Sequence, residues 1–178
     1  MKKVVIRYGA YAGLFELICF ILTWLIIDIT HVSHKVQGVI GWFTILCPMI
    51  FVYFGIRYYR DQFNSGYISF FQALKLGVLI VIIPTLSFAI IETVYVLYID
   101  PKFYENIALY DIAEYRKTLP PAEFAARAKE IQQNLVMYKN PLYNFMGMIF
   151  TIGLLGIISA IVSALLLFRR TNKTAAIA

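Results

Sequence analysis

The chain has 178 residues, of which 61% are hydrophobic and only 15% are charged, and its formal net charge is +6. A soluble domain of this length has about a quarter of its residues charged and about half apolar, so this composition excludes an ordinary soluble protein. Because the basic residues flank long apolar segments, membrane topology explains the positive charge better than nucleic-acid binding does. The sequence predicts an integral membrane protein whose partner is the lipid bilayer, with no nucleic acid.

Four apolar segments are long enough to cross a bilayer, which takes ~20 residues per helix. They predict an all-α membrane protein with four transmembrane helices in a single polytopic domain, 1–178, and the spans cover residues 8–29, 37–58, 70–99 and 142–168.

The first predicted helix carries an acidic residue, Glu16, within its apolar length. Gly9, Gly13 and Thr23 lie on the same side of the helix as Glu16, at offsets of three or seven residues. Small residues let membrane helices approach closely. This stripe therefore predicts a helix-packing face, with Glu16 directed at protein rather than lipid.

The end of this helix contains Asp28, His31 and His34 at intervals of three residues, which are metal-ligand types. Because the stretch crosses from membrane to loop, interfacial polar residues are the preferred interpretation and no metal site is predicted. Cys19 and Cys47 lie in apolar segments and are predicted to behave as small hydrophobic residues, without a disulfide.

Turn residues 64–66 precede Ser69 and Gln72, whose spacing is that of a capping box and predicts a third helix starting near Phe70. Pro48 in the second span and Pro84 in the third each remove a backbone donor, so both are predicted to kink their helices.

The third helix also carries Glu92, which shares a side with Thr85 and is predicted to face protein. Glu92 lies nearer the end of its helix than Glu16 does, so the two carboxyl groups are predicted to be partly separated.

Residues 100–141 predict an extracytoplasmic helical hairpin between the third and fourth spans. The segment "PPAEFAARAKEIQQNLVMYKNP" begins with prolines that suit a helix start and ends with Asn-Pro, a stop signal. One face of this helix is predicted to be apolar and to pack on the bundle, on lipid headgroups or on a partner; it comprises Phe124, Ile131, Leu135 and Tyr138.

The fourth helix carries a second stripe of small residues, which predicts a close helix–helix contact within one chain or between two. It comprises Gly153, Gly156, Ala160 and Ala164. Lys and Arg concentrate at one set of span ends, whereas the segment 100–141 is close to neutral. This asymmetry predicts that both termini are cytoplasmic.

Several stretches resemble one known family. They are "YFGIRYYRD" at the end of the second span, "NSGYISFFQALKLG" at the start of the third, and "YKNPLYN" before the fourth. The chain resembles, over nearly its whole length, the bacterial membrane family called domain of unknown function four-one-nine-nine. The resemblance implies four spans and a bacterial inner (cytoplasmic) membrane, and implies no reaction, ligand or site.

The two buried carboxyl groups leave three interpretations open. A lone carboxylate at the bilayer centre costs ~2.5–3.5 kcal/mol. Glu16 and Glu92 are therefore predicted to hydrogen-bond a neighbouring helix, to bind or relay a proton or cation, or to meet a basic group of a partner.

No phosphate loop, zinc motif or nucleophile elbow is present in the sequence, so no catalytic residue, cofactor or enzyme activity is predicted. The first functional hypothesis is a non-enzymatic accessory or scaffold subunit that acts through helix packing, as a homo-oligomer or with a membrane protein partner. The alternative is a small proton- or ion-coupled transporter that uses Glu16 and Glu92.

Overall fold

The computed structural model describes residues 1–30 and 34–169, and the side chains at 27–35 lie outside the described part. The Asp28, His31 and His34 group therefore falls outside the described residues. Every named element in the described part is helical: α1 Lys2–Thr30, α2 His34–Leu46, a 3₁₀ turn Cys47–Met49, α3 Ile50–Phe63, α4 Phe70–Val94, a π-helical turn Tyr95–Ile99, α5 Phe103–Thr118, α6 Pro121–Tyr138 and α7 Pro141–Leu167.

Four of the described helical segments are long and apolar enough to cross a membrane, which confirms the predicted number of spans. They are Lys2–Ile26, Val36–Phe63, Phe70–Ile99 and Pro141–Leu167. The first span begins at Lys2 instead of residue 8, and the second ends at Phe63 instead of residue 58, because the helices continue beyond the apolar length. An i,i+4 ion pair between Arg57 and Asp61 (3.7 Å) supports the added turn at the end of α3.

The start of α4 is set by the predicted capping box. Ser69 has extended backbone angles, and its hydroxyl accepts from the Gln72 backbone N–H over 3.3 Å. The Gln72 side chain accepts in return from the Ser69 N–H over 3.4 Å. The preceding turn passes through Ser65 (φ 49°) and Gly66 (φ 83°), and the second of these is a conformation that glycine adopts without strain. The predicted start at Phe70 is confirmed.

The two prolines have different surroundings. Pro48 lies in the 3₁₀ turn Cys47–Met49, which separates α2 from α3, so the second span is not one continuous α-helix. Pro84 lies inside α4, and the helix continues on both sides of it.

The pairing of α4 with antiparallel α7 is the most extensive contact in the described fold. A β-bridge joins Ile68 to Arg169 just outside the two helices. Along the pair, a Cβ on Gly77 would lie 2.8 Å from the Ala160 Cβ, and Gly156 packs against Val81. Small residues on each helix thus leave room for the other helix along the length of the contact.

The helix α1 packs on the other side of α4, and the two helices run parallel. A Cβ on Gly9 would lie 2.5 Å from Ile83, and one on Gly13 would lie 3.1 Å from the Ser87 hydroxyl. The antiparallel helix α3 closes the bundle, and its Phe51 ring lies 5.6 Å from that of Phe15.

The helices α5 and α6 pack against each other. Lys139 just after α6 pairs with Glu105 of α5 (2.5 Å), and the Arg127 guanidinium lies 5.5 Å from the centre of the Tyr115 ring. No residue of α6 is fully buried. The side chains of the predicted apolar face, including Phe124 and Ile131, are half-buried. The position of these helices on the outer side of the membrane stays a prediction.

Candidate functional site: a carboxyl cluster beside a cavity

The site begins with Glu92, which lies near the end of α4 on its buried face and is only 6% exposed. The α-helix ends two residues later at Val94, and the π-helical turn Tyr95–Ile99 follows it. Such turns insert an extra residue and are often found at functional sites.

Two residues from other helices contact the Glu92 carboxyl group. Tyr104 comes from the first turn of α5, and Asn144, which is fully buried, comes from the first turn of α7. The Tyr104 hydroxyl bonds Glu92 Oε1 and lies 3.0 Å from Asn144 Oδ1. Asn144 Nδ2 donates to Glu92 Oε2 over 2.7 Å. The three side chains form a closed ring of three polar contacts, which we call the carboxyl cluster.

Each contact of the ring requires its own proton. The Tyr104 hydroxyl supplies one proton, and the Asn144 amide supplies one, because both of its protons are on the same nitrogen. An ionised Glu92 supplies none, so one pair of oxygens would face each other with no proton between them. A protonated Glu92 supplies the third. Turning the Asn144 amide over only reverses the direction of the ring. The geometry therefore fits a Glu92 that carries its proton.

Tyr104 is held in place by stacking. Its ring lies 4.9 Å from that of Tyr138, with an angle of 19° between the planes, so α6 supports the residue that α5 contributes. Burial first, and then the neighbouring Glu92 carboxyl, raise the pKa of the Tyr104 hydroxyl. Tyr104 therefore keeps its proton and acts as a hydrogen-bonding group rather than as an acid.

Glu16 has a different environment. It is completely buried, and neither of its carboxyl oxygens has a hydrogen-bond partner among the described atoms. The Gly13–Ser87 approach lies before it on α1, and the ring of Phe20 beyond it lies 6.1 Å from that of Phe88. Glu16 therefore faces the interior beside α4, and no hydrogen bond joins it to Glu92.

The two threonines predicted as intramembrane polar residues, Thr23 and Thr85, also differ in their hydrogen bonding. The Thr23 hydroxyl on α1 bonds that of Thr44 on α2 at 2.8 Å, and Thr44 donates to the Ile40 carbonyl over 3.1 Å. Thr85 is buried on α4, and its hydroxyl has no partner among the described atoms.

The predicted packing residues lie mostly at helix contacts. Gly9 and Gly13 face α4, and Gly156 faces Val81. Ala160 and Ala164 are completely buried. The contact at Gly153 is less close, because a Cβ there would lie 3.9 Å from the methyl group of Thr85.

A cavity of about 920 Å³ lies beside the carboxyl cluster. Its wall is formed by α1, α2, α4, the π-helical turn, α5 and a single residue of α7. Glu92 and Tyr104 are part of this wall, whereas Glu16 is not. The carboxyl cluster is thus both buried in the bundle and in contact with a space large enough for a small organic molecule.

The lining of the cavity is aromatic and acidic. Nine of its residues are aromatic, among them Trp24 and Trp42, and three are acidic: Glu92, Asp111 and Glu114. Among the described lining residues, none is Lys, Arg or His. Glu114 pairs with Lys117 (3.2 Å), whose side chain is 70% exposed and is not part of the wall.

Sequence reasoning found Glu92 but missed its two partners. Asn144 was visible as a polar residue near the start of the fourth apolar segment, in "YKNPLYN", and that was a usable signal. Tyr104 gave no such signal, because it is one of 13 tyrosines and lies 12 positions from Glu92 in a different helix.

Metal-binding residues do not gather in the described part of the chain. No group of three His, Cys, Asp or Glu side chains there could hold a metal ion. Cys19 and Cys47 are free thiols.

Comparison with known proteins gives one match. The family model described as "Protein of unknown function (DUF4199)" matches residues 7–169. The chain belongs to the DUF4199 family. This confirms the resemblance inferred from the sequence motifs. No curated protein and no solved structure matches the chain. The carboxyl cluster and the cavity of this DUF4199 protein both lie within the matched residues.

Proposed function

We propose that this multi-pass membrane protein is a small proton-coupled transporter that holds its ligand in the cavity, and that it is not an enzyme. The observation that carries the proposal is that Glu92 is both a buried carboxyl group in a hydrogen-bonded ring and part of the cavity wall. Ionisable residues inside membrane bundles mark ion and proton pathways in many transporters.

In this proposal Glu92 exchanges its proton with the cavity, and Glu16 is a second proton position deeper in the bundle. Support for Glu16 comes from its complete burial and from its two unpartnered oxygens, which leave it free of the hydrogen bonds that a purely structural carboxyl group needs. The break at Cys47–Met49 supports the proposal as well, because interrupted helices recur at transport sites.

Proton flux into proteoliposomes tests the proposal. A pH step is imposed across vesicles that contain a trapped pH-sensitive dye, with the membrane potential clamped by potassium and valinomycin. Wild-type protein is expected to dissipate the step faster than protein-free vesicles, and Glu92→Gln and Glu16→Gln are expected to slow it. Glu105→Gln removes an acid outside the cavity and serves as the matched control. Wild-type flux equal to that of empty vesicles overturns the proposal.

We further propose that the protein resides in a bacterial inner membrane with both termini cytoplasmic. The Lys and Arg distribution supports this orientation. It places α5 and α6 on the outer side, where Glu130→Cys, in a protein with Cys19 and Cys47 replaced by Ala, reacts with an impermeant maleimide added to intact cells. Labelling only after the cells are broken contradicts the orientation.

A non-enzymatic accessory or scaffold role is the second candidate. It is favoured by the exposed surface of α5 and α6, where Leu109 is 67% and Val136 is 72% exposed. This surface could hold a second copy of the chain or a membrane protein partner. Native mass spectrometry of gently extracted protein tests it: a stoichiometric partner supports the role, and a monomer that carries no other protein contradicts it.

A further inference from the structure

We infer that the cavity takes a lipophilic organic cation and that this cation displaces the proton of Glu92. The inference rests on the proposed transport function and adds to it the class of substrate and the form of the coupling. It is carried by two observations that do not depend on each other, namely the chemistry of the cavity wall and the number of protons in the carboxyl cluster.

The cavity wall matches an apolar cation in both shape and charge. Aromatic rings bind cations through the negative face of the ring, and tryptophan does so best. Trp24 and Trp42 both line the cavity, together with seven other aromatic residues. Asp111 lies on the same wall and, with the aromatic rings, favours positive charge, whereas Glu114 is already paired with Lys117. An anionic ligand would meet carboxyl groups with no basic side chain among the described lining residues to balance it.

The carboxyl cluster supplies the exchange step. When a cation enters, the O–H bond of Glu92 breaks, the proton leaves through the cavity to water, and the carboxylate becomes the counter-ion of the cation. No other bond is formed or broken. Ionised Glu92 still accepts from Asn144 Nδ2 and from the Tyr104 hydroxyl. The contact between Tyr104 and Asn144 Oδ1 then has no proton, and this contact joins α5 to α7. Exchange therefore loosens α5 from α7.

The two side chains in hydrogen-bond contact with Glu92 do not replace it as the proton donor. The side chains that α5 and α7 direct at it are Tyr104, whose pKa is raised, and Asn144, which does not titrate. The helix α6 contributes Tyr138 behind Tyr104.

The other residues that line the cavity near Glu92 come from two elements. The helix α1 contributes Phe20, Thr23 and Trp24, and the turn after α4 contributes Tyr95. Asp111 and Glu114 are the other acids on the wall, and both are on α5.

Two probes of the same shape and opposite charge test the charge preference. Tetraphenylphosphonium is a lipophilic cation, and tetraphenylborate is its anionic counterpart. Saturable binding of each is measured by calorimetry to protein in nanodiscs, with protein-free nanodiscs as the control for partition into lipid. We expect saturable binding of the cation and none of the anion. Equal binding of both probes overturns the inference, because the cavity would then be a general apolar site for lipid chains.

Proton release is measured in the same titrations. Binding heats in two buffers that differ in ionisation enthalpy give the number of protons released, and we expect roughly one per bound cation. Because the proton competes with the cation, affinity should rise about tenfold per pH unit until Glu92 is ionised in the free protein.

The variant Glu92→Gln mimics the protonated side chain and can preserve the ring. It is expected to bind the cation at least about tenfold more weakly, with no proton release and no pH dependence. Glu105→Gln should behave as wild type. Asp111→Asn should weaken binding but keep the proton release.

The outcomes separate this inference from the proposed function. Cation binding without proton release overturns the exchange step and leaves the substrate class standing. No saturable cation binding, in a protein whose Glu92-dependent proton flux is intact, overturns the substrate class and leaves the transport function standing. Absence of both the flux and the binding overturns the inference together with the function on which it rests.

Discussion

The two ends of the α4–α7 pair use different chemistry in one continuous contact. At one end Gly77 meets Ala160 and Gly156 meets Val81, so the facing side chains of the two helices are joined by close packing, and the only polar link between them described near this end is the backbone bridge between Ile68 and Arg169 just outside the helices. At the other end Glu92 meets Asn144 by a hydrogen bond, and α5 inserts Tyr104 into the contact. The first end has few alternative arrangements, because any added atom collides with a backbone or a buried side chain. At the second end the contact includes the Glu92 carboxyl group, whose proton leaves in the exchange that we propose.

In the proposed exchange, this difference would keep the bundle rigid at one end while the other end responds to the proton of Glu92. Close packing of small residues fixes the register of the two helices. With the register fixed, the carboxyl cluster can lose one of its contacts without loss of the fold. Four substitutions test this division between a packed end and a polar end, and they follow in order of decreasing expected effect.

The largest loss of stability is expected at the packed end, from Gly156→Leu. The new side chain has no room against Val81, and overpacking costs typically 1–3 kcal/mol, so we expect about 3 kcal/mol of destabilisation. The measurement is the free energy of unfolding in mixed detergent micelles. Gly147→Leu on the same helix is the control, because no atom lies within 4 Å of its Cβ position. Equal losses at both sites would show that α7 does not pack as described.

The next effect is expected at the polar end, from Asn144→Leu. It leaves Glu92 Oε2 buried without a donor, which costs about 1–2 kcal/mol. The same unfolding measurement applies, with Asn106→Leu on the exposed face of α5 as control. Combined with Tyr104→Phe, the double variant should deviate from additivity by at least ~0.5 kcal/mol. Strict additivity would mean that the three side chains do not act as one ring.

A smaller effect is expected from Thr23→Val, which removes the hydroxyl pair between α1 and α2 beside the cavity. Hydrogen bonds between membrane helices contribute ~0.6 kcal/mol on average. Thr151→Val, at an exposed position on α7, is the control. A loss similar to that of Asn144→Leu would place the main polar contact of the bundle at Thr23 instead of Glu92.

The smallest effect is expected from Lys139→Met, which removes the exposed ion pair with Glu105. The Lys139 ammonium, by its hydrogen bond first and then by its charge, lowers the pKa of Glu105. A lowered folded-state pKa gives stability that is present above the unfolded value, ~4.3, and is lost as pH falls through the folded value. The small difference in melting temperature between variant and wild type should be seen at pH 7 and vanish in acid. A difference that persists there would require another cause.

The spans were predictable because each is a long apolar segment, and the start of α4 was predictable because Ser69 and Gln72 have a short-range signature. Packing faces could also be read from the spacing of Gly156 and Ala160. Gly77, which contacts Ala160, was missed although Ala73 four residues before it gives the small-residue spacing, so this signal was usable and not used.

The site was predictable only in part. Glu92 was evident because an acid within an apolar helix is costly. Its partners were not, because Tyr104 and Asn144 lie 12 and 52 positions away and meet it only when three helices have assembled. The cavity was not visible either, since its wall combines residues of separate helices. Local sequence signals therefore give the helices and the costly residue, while the tertiary contacts decide what surrounds that residue.

The pairing of α4 with α7 also sets an order of events during synthesis. The ribosome completes α4 well before it makes α7, since Asn144 follows Glu92 by 52 positions. During that interval Gly77 and Glu92 lie in the nascent chain without the helix that covers them. Because α1 packs on the other side of α4, the membrane insertion machinery must shelter this surface until α7 arrives. The insertion of α7 is therefore the step that completes this contact, and truncation before α7 should send the nascent protein to membrane quality control.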